Sequence, residues 1–148
     1  MKLHDIFKTD SSLAALILRV GLGLALIPHG AQKLFGWFGG YGLEGTGQWM
    51  ASIGLEPGML MAALAGSAEF FGGLALVLGL LTRPAAALTA FTMLVAIFSV
   101  HSGNGFFMSN NGYEYGFVLL VASLSLLVSG GGRLSLDRRL SAGLCCCS

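Results

Sequence analysis

The chain contains 148 residues, of which 55% are hydrophobic and only 10% are charged. A soluble domain usually carries about 25% charged residues, so this composition excludes an ordinary soluble enzyme and indicates an integral membrane protein. The formal net charge of +1 lacks the strongly basic character of nucleic-acid-binding proteins, and nucleic acid is therefore not an expected partner.

Four apolar segments predict membrane-spanning helices joined by short loops. The first begins after Ser11 or Ser12, either of which can cap it, and Pro28 should kink it because proline cannot donate a backbone hydrogen bond. The pattern therefore predicts an all-α fold, a four-helix membrane bundle that forms a single domain over residues 1–148. The predicted spans are 13–35, 59–81, 85–101 and 114–128, followed by a short tail over 129–148.

The segment between the first two spans is rich in glycine and contains Trp37, Tyr41 and Trp49. Such aromatic side chains favour the headgroup level of a bilayer, and residues 46–53 are predicted as a short helix on its surface. The three cysteines, Cys145–Cys147, lie at the extreme C-terminus, without the spacing of a dithiol or metal centre. We interpret them as a disordered end without an assigned role.

The basic residues predict the orientation of the bundle, because cytoplasmic loops carry an excess of lysine and arginine. Six of them fall on one side of the predicted topology, and Lys33 falls near the other. Both termini are therefore predicted to be cytoplasmic, with the loops around Trp37 and His101 facing outward. The six residues are Lys2, Lys8, Arg83, Arg133, Arg138 and Arg139.

Ionisable residues within the spans form a predicted polar column. Arg19, His29 and Lys33 fall within roughly 80° of each other on the first helix, and such groups are costly in lipid unless they face a partner. One interpretation is structural, with Arg19 paired to Glu69 in the second span. In the same interpretation Lys33 or His29 pairs with Glu114, and the column only fixes helix packing.

The alternative interpretation is a quinone or small-aromatic site near the outer face. Histidine suits it, because its unperturbed pKa of about 6.5 allows proton exchange near neutral pH. The candidate ligand-binding residues are His29, Lys33, His101, Glu114, Tyr113 and Trp37.

A metal site would require both histidines and a carboxylate, but no ligand pair three or four residues apart supports one, and no metal is expected. The sequence lacks a nucleophile motif, a phosphate-binding loop and an HExxH motif, so no stand-alone catalytic residues are assigned.

Several segments in this order carry a family resemblance: LRVGLGLALIPHGAQKLFG, LAGSAEFFGGLALVLGLLTR, the histidine after the third span, YEYG, and GGGRLSLDRRL. With them the chain resembles the DoxX family of small bacterial membrane proteins. The resemblance implies a bacterial inner-membrane bundle associated with redox systems, including thiosulfate:quinone oxidoreductase, thiol or superoxide detoxification, and resistance to quinones and catechols. The family's recurring polar positions match Arg19, Lys33, Glu69, Arg83, His101, Glu114 and Asp137.

Three classes of function follow from these patterns. The first is a membrane subunit or accessory protein of a redox system, which binds quinone between its helices or docks a soluble or membrane oxidoreductase. The second is a small-molecule permease or lipid-interacting protein, which would require a homo-oligomer for transport because four helices enclose little volume. The third is a ligand-free structural or assembly factor.

Overall fold

The computed structural model describes residues 12–145, with side chains to residue 142, and within this range the chain is all-helical. The N-terminal lead with Lys2, Lys8 and Ser11, and the C-terminal Cys146 and Cys147, lie outside the described residues, as does the side chain of Cys145. The described α-helices are α1 (Leu13–Phe35), α2 (Gly42–Ser52), α3 (Gly58–Leu78), α4 (Thr82–Ala96), α5 (Glu114–Ser129) and α6 (Leu136–Cys145).

Three helical stretches are long and apolar enough to cross a membrane: Leu13–Phe35, Gly58–Leu78 and Thr82–Asn104. The last consists of α4 continued by a π-turn, Ile97–His101, and a short 3₁₀ turn. Helix α5 is also apolar but has only 16 residues. Large apolar side chains such as Ile17, Phe71 and Phe98 are exposed on the outside of the bundle, as expected for surfaces in lipid.

Local sequence signals set the ends of α1. The Ser12 hydroxyl accepts hydrogen bonds from the backbone N–H groups of Ala14 and Ala15 at 3.1 and 3.4 Å, which confirms the predicted cap. At the other end Gly36 adopts the left-handed conformation with φ of 71°. This conformation is unfavourable for residues that have a side chain, so glycine ends the helix here. Helix α1 continues through Pro28 as a single unbroken helix.

Helices α1 and α3 pack against each other through glycines. A Cβ atom added at Gly23 would lie 2.5 Å from the carbonyl oxygen of Gly73, and one added at Gly30 would lie 2.7 Å from that of Gly66. No real side chain fits at those distances, so the two backbones approach as closely as small residues allow. The contacts pair residue 23 with 73 and residue 30 with 66, which fixes the antiparallel register of the two helices.

We expect the substitution Gly23→Ala to destabilise the protein by about 2 kcal/mol or more, because the added methyl group would force α1 away from α3. Gly21→Ala is the matched control: the same change on the same helix meets no atom within 4 Å. It should be neutral or stabilising by up to about 1 kcal/mol, since alanine favours helix more than glycine. Unfolding of both variants in mixed micelles measures the difference, and equal stability would contradict this packing.

Helix α2 begins at Gly42, four residues before the predicted surface helix, and it is packed rather than merely laid on the surface. Its buried residues include Gly47, where an added Cβ would lie 3.0 Å from the Cα atom of Met59 at the start of α3. Trp49 lies on the other face and is exposed, as the interfacial prediction expected.

The C-terminal segment differs from a simple tail. After Ser129 the chain turns through residues 130–135 and forms α6 against the same end of the bundle as the turn between α3 and α4. The backbone N–H of Asp137 donates to the carbonyl of Gly79 at 2.9 Å, and that of Arg133 donates to the carbonyl of Ser12 at 3.1 Å. These contacts hold α6 against the end of the bundle where α3 turns into α4.

Candidate functional site

The bundle has two polar ends. We call the end that contains the α3–α4 turn and α6 the base, and the end that contains the α1–α2 loop, residues 36–41, the top. The sequence predicted one polar column joining these ends. The structure instead separates the ionisable residues of the bundle into a cluster towards the top and a network at the base.

An ion pair joins α1 to α3 in the upper half of the bundle. The Nζ atom of Lys33 lies 2.5 Å from the Oε2 atom of Glu69, and the two side chains are 25% and 5% exposed respectively. A carboxylate this deeply buried requires a partner, because an unpaired charge in a low-dielectric interior is strongly disfavoured. Lys33 supplies that partner while part of its side chain still reaches the surface.

His29 and Tyr115 border this ion pair. The ring centroids of His29 and Tyr115 lie 5.6 Å apart with the planes tilted by 44°, so α1 contacts α5 here. His29 interacts electrostatically with both Lys33 and Glu69, and Tyr115 interacts with Glu69. These four residues form what we call the upper cluster, which contains two groups of opposite charge and two aromatic rings able to exchange hydrogen bonds.

A cavity of about 380 Å³ opens beside the upper cluster, between the top of α1, the α1–α2 loop and α2. Its volume lies within the range of about 300–1,000 Å³ that is typical of small-molecule sites. Lys33 belongs both to the cavity wall and to the ion pair, so it connects the cavity with the buried carboxylate. The wall is formed by Gln32, Lys33, Gly39, Gly40, Tyr41, Thr46 and Trp49.

His101 and Glu114, two other candidates, bond within the loop that joins α4 to α5. The Nδ1 atom of His101 lies 2.8 Å from the carbonyl oxygen of Asn111, and the Glu114 carboxylate accepts from the backbone N–H of Met108 at 3.0 Å. Tyr113 packs edge-on against Phe106 in the same loop, with centroids 5.4 Å apart. The structure therefore places these three in the loop and outside the cavity wall.

The predicted pairing of Lys33 or His29 with Glu114 is corrected by the observed ion pair between Lys33 and Glu69. Trp37, the remaining candidate, stacks against Phe35 with ring centroids 5.0 Å apart and is 56% exposed. It does not belong to the cavity wall, where Trp49 and Tyr41 supply the aromatic surface instead.

At the base, Arg19 does not pair with Glu69, and that prediction was wrong. The guanidinium group is only 2% exposed and binds backbone carbonyls: its Nη1 atom donates to Leu76 at 3.0 Å and also to Val77. These two carbonyls lie in the last turn of α3, where the helix dipole attracts a cation. Arg19 also donates to Gly131 at 2.8 Å and to Leu134 at 3.1 Å.

Asp137 performs the complementary role for α4. Its carboxylate is buried and accepts hydrogen bonds from the backbone N–H groups of Leu81 at 2.7 Å and Thr82 at 2.8 Å. These donors lie at the N-terminus of α4, where an anion is stabilised by the unpaired N–H groups and the helix dipole. Asp137 also interacts electrostatically with Arg19. A cation therefore binds the C-terminal end of α3, and an anion binds the N-terminal end of α4.

Arg83 repeats the arrangement one helix further. Its guanidinium group donates to the carbonyls of Leu127 at 3.0 Å and Val128 at 2.8 Å, in the last turn of α5. Two arginines thus bind the C-terminal carbonyls of neighbouring helices. The charged groups of Arg19, Asp137 and Arg83 thus form hydrogen bonds with backbone groups at helix ends. We therefore interpret the base network as structural.

Comparison with known proteins identifies the chain. The DoxX family model matches residues 14–102. The chain belongs to the DoxX family. The "Putative oxidoreductase CatD" of Bacillus subtilis (strain 168) is 35% identical to it over 125 residues, covering 84% of this chain and 85% of the relative.

Two further relatives are named as inner membrane proteins of Escherichia coli (strain K12). YqjF is 37% identical over 140 residues, covering 90% of this chain and 97% of the relative. YphA is 33% identical over 129 residues, covering 84% of this chain and 88% of the relative. No solved structure matches the chain. These names support a multi-pass inner-membrane protein.

Sequence reasoning missed Gln32 and Thr46 as cavity residues of this DoxX-family protein, and it interpreted Trp49 and Tyr41 only as membrane-interface residues. The available signal was the glycine turn at 39–40, which allows the loop to fold back over α1. A Cβ atom at Gly40 would lie 2.5 Å from the Cα atom of Gln32. In the described part of the chain, no three His, Cys, Asp or Glu side chains cluster as metal ligands would.

Proposed function

We propose that this DoxX-family protein is an integral membrane subunit or accessory protein of a redox system, and that it binds a quinone or a related small aromatic in the top cavity. One observation carries the proposal: a ligand-sized cavity has aromatic walls and contains a lysine tethered to a buried carboxylate. The name of the B. subtilis relative, "Putative oxidoreductase CatD", supports a redox context.

The proposed topology has four spans, with the base in the cytoplasm. Helix α5 would be about 24 Å long, shorter than the hydrocarbon core of about 30 Å, and would cross with local thinning of the bilayer. Apart from the buried Arg19, four arginines lie at the base, whereas Lys33 lies near the top, which supports cytoplasmic termini under the positive-inside rule. These four are Arg83, Arg133, Arg138 and Arg139.

The chemistry of the cavity suits a quinone head group. The ammonium group of Lys33 can donate a hydrogen bond to a quinone carbonyl, and the rings of Trp49 and Tyr41 offer apolar faces for stacking. Glu69 holds the ammonium group in place through their ion pair. The protein supplies binding and orientation in this proposal, while a docked oxidoreductase supplies the electrons.

The substitution Trp49→Leu is expected to weaken binding of a short-chain ubiquinone analogue by roughly tenfold, because aromatic stacking and apolar contact in the cavity are lost. Trp37→Leu is the matched control, since Trp37 is exposed and does not line the cavity. Titration of the purified protein, followed by equilibrium dialysis, measures both affinities.

Lys33→Gln should also weaken binding, whereas His101→Ala should not, because His101 bonds within its own loop. Unchanged affinity in the Trp49 and Lys33 variants would refute the cavity as the quinone site. Solute counterflow in proteoliposomes without any partner would instead favour a permease. Stable co-purification with an enzyme, without bound quinone, would favour a ligand-free assembly factor.

A further inference from the structure

A second cavity, of about 370 Å³, lies at the base on the outer side of α6. Three of the six residues that line it are arginines, and none of these six is acidic. The top cavity, in contrast, is lined by a single basic residue, Lys33. All three arginines are exposed, and their guanidinium groups make no hydrogen bond or ion pair with the described residues. The lining residues are Arg133, Leu134, Ser135, Arg138, Arg139 and Ala142.

The three arginines are held in place by the fold. The Ser135 hydroxyl accepts from the backbone N–H of Arg138 at 3.3 Å and caps α6, while Asp137 ties the helix to the start of α4. Arg133 lies within the turn whose carbonyls, those of Gly131 and Leu134, are bound by the buried Arg19. The cavity is therefore a fixed concave surface that carries three cations, and not a mobile basic tail.

The cavity lies at the level where the helices of the bundle end. Helix α3 ends at Leu78, α4 begins at Thr82 and α5 ends at Ser129, and α6 packs against the turn between α3 and α4. This level corresponds to the boundary between hydrocarbon and headgroups for any membrane that α3 and α4 cross. Cations fixed there meet lipid phosphates before they meet any soluble anion.

Apolar side chains beside the arginines complete the argument. Leu134 is 76% exposed. Its backbone adopts the left-handed conformation with φ of 58°, which is unfavourable for leucine. Leu136 and Leu140 are also exposed, and lie about 40° apart on α6. Exposed leucines next to cations are typical of a helix in the membrane interface, where acyl chains and phosphates are both within reach.

We propose that the base cavity, formed by Arg133, Arg138 and Arg139 with Leu134 at its rim, binds the phosphate group of an anionic phospholipid. Guanidinium groups bind phosphate oxygens through two parallel hydrogen bonds, which suits a site with three arginines and no acidic wall. Leu134 contacts an acyl chain of the same lipid. This site is independent of the top cavity, which lies at the other end of the bundle.

Native mass spectrometry of the full-length protein tests the proposal with dioctanoyl phosphatidylglycerol, dioctanoyl phosphatidylcholine and inorganic phosphate as separate probes. We expect phosphatidylglycerol to bind at least about tenfold more tightly than phosphatidylcholine, since each arginine near the membrane surface favours an anionic lipid. The double variant Arg138→Gln/Arg139→Gln should abolish that preference. Arg138→Lys/Arg139→Lys should retain part of it, because the charge remains while the paired hydrogen bonds are lost.

Gln48→Glu is the control for net charge: it lowers the charge by one, half the change in the double glutamine variant, at an exposed position of α2. It should leave the lipid preference unchanged. Equal binding of the two lipids, or a preference that survives the double glutamine variant, would overturn the proposal. Inorganic phosphate that binds with the same arginine dependence and displaces the lipid would assign the cavity to free phosphate instead.

Discussion

Arg19→Met is expected to lower the free energy of unfolding by at least about 3 kcal/mol, the largest effect of any single side-chain truncation at the base. Methionine matches the apolar stem of arginine but leaves the carbonyls of Val77, Gly131 and Leu134 without their arginine donor. The carbonyl of Leu76 keeps the backbone N–H of Gly79 as a donor at 3.1 Å. Each buried acceptor that loses its partner costs about 1–3 kcal/mol. The variant should also accumulate poorly in the membrane, because α1, α3 and the α5–α6 turn are all joined through this group.

Two comparisons make this expectation specific. Arg19→Lys should rescue little, since a lysine ammonium group is a compact charge with three donors and cannot span the carbonyls of α3 and of the α5–α6 turn together. Arg83→Met removes the same guanidinium group from two carbonyls in a less buried place, and should cost about half as much or less. Unfolding in dodecyl sulfate, followed by circular dichroism, ranks the three variants. An Arg83 effect equal to that of Arg19 would contradict the central role of Arg19.

The helices were predictable because their signals are local. Apolar runs and the Ser12 cap are read from neighbouring residues. When the turns that continue α4 to Asn104 are included, the observed ends of the long helices fall within about three residues of those predicted. The pairing of charges was not predicted correctly, because it depends on the register between α1 and α3. That register lines up Arg19 with the end of α3 rather than with its middle.

The register itself left a signal in the sequence. Gly23 and Gly30 are seven residues apart on α1, as are Gly66 and Gly73 on α3, and antiparallel packing brings these two pairs together. In that register, residue 19 faces residue 77. Side chains on a helix also lean towards its N-terminus, so Lys33 and Glu69 lean towards each other, whereas Arg19 leans towards the base.

The top cavity was beyond sequence reasoning for a different reason. Its walls come from an irregular loop and from the short helix α2, whose position depends on the close approach of Gly47 to Met59 and of Gly40 to Gln32. Such contacts leave no periodic hydrophobic pattern in the sequence from which they could be predicted. Trp49 and Tyr41 were therefore interpreted only as interfacial aromatics, although the fold turns part of their surface towards Lys33.

Lys33→Met and Glu69→Gln are expected to be unequal in effect, although they break the same ion pair. Lys33→Met leaves a carboxylate that is only 5% exposed without a partner, and should cost about 3 kcal/mol. Glu69→Gln leaves the cation instead, and because Lys33 is 25% exposed its side chain can extend to the surface at little cost. The expected loss for Glu69→Gln is therefore about 1 kcal/mol or less.

The double variant Lys33→Met/Glu69→Met decides what the pair is for. Replacing a buried ion pair by apolar side chains is often neutral or stabilising, so this variant should recover most of the stability lost in Lys33→Met. Strict additivity of the separate effects would contradict the coupling seen between the two side chains. If the cavity binds quinone as proposed, the double variant should fold yet fail to bind it. Such a result would show that the pair is retained for its chemistry and not for packing.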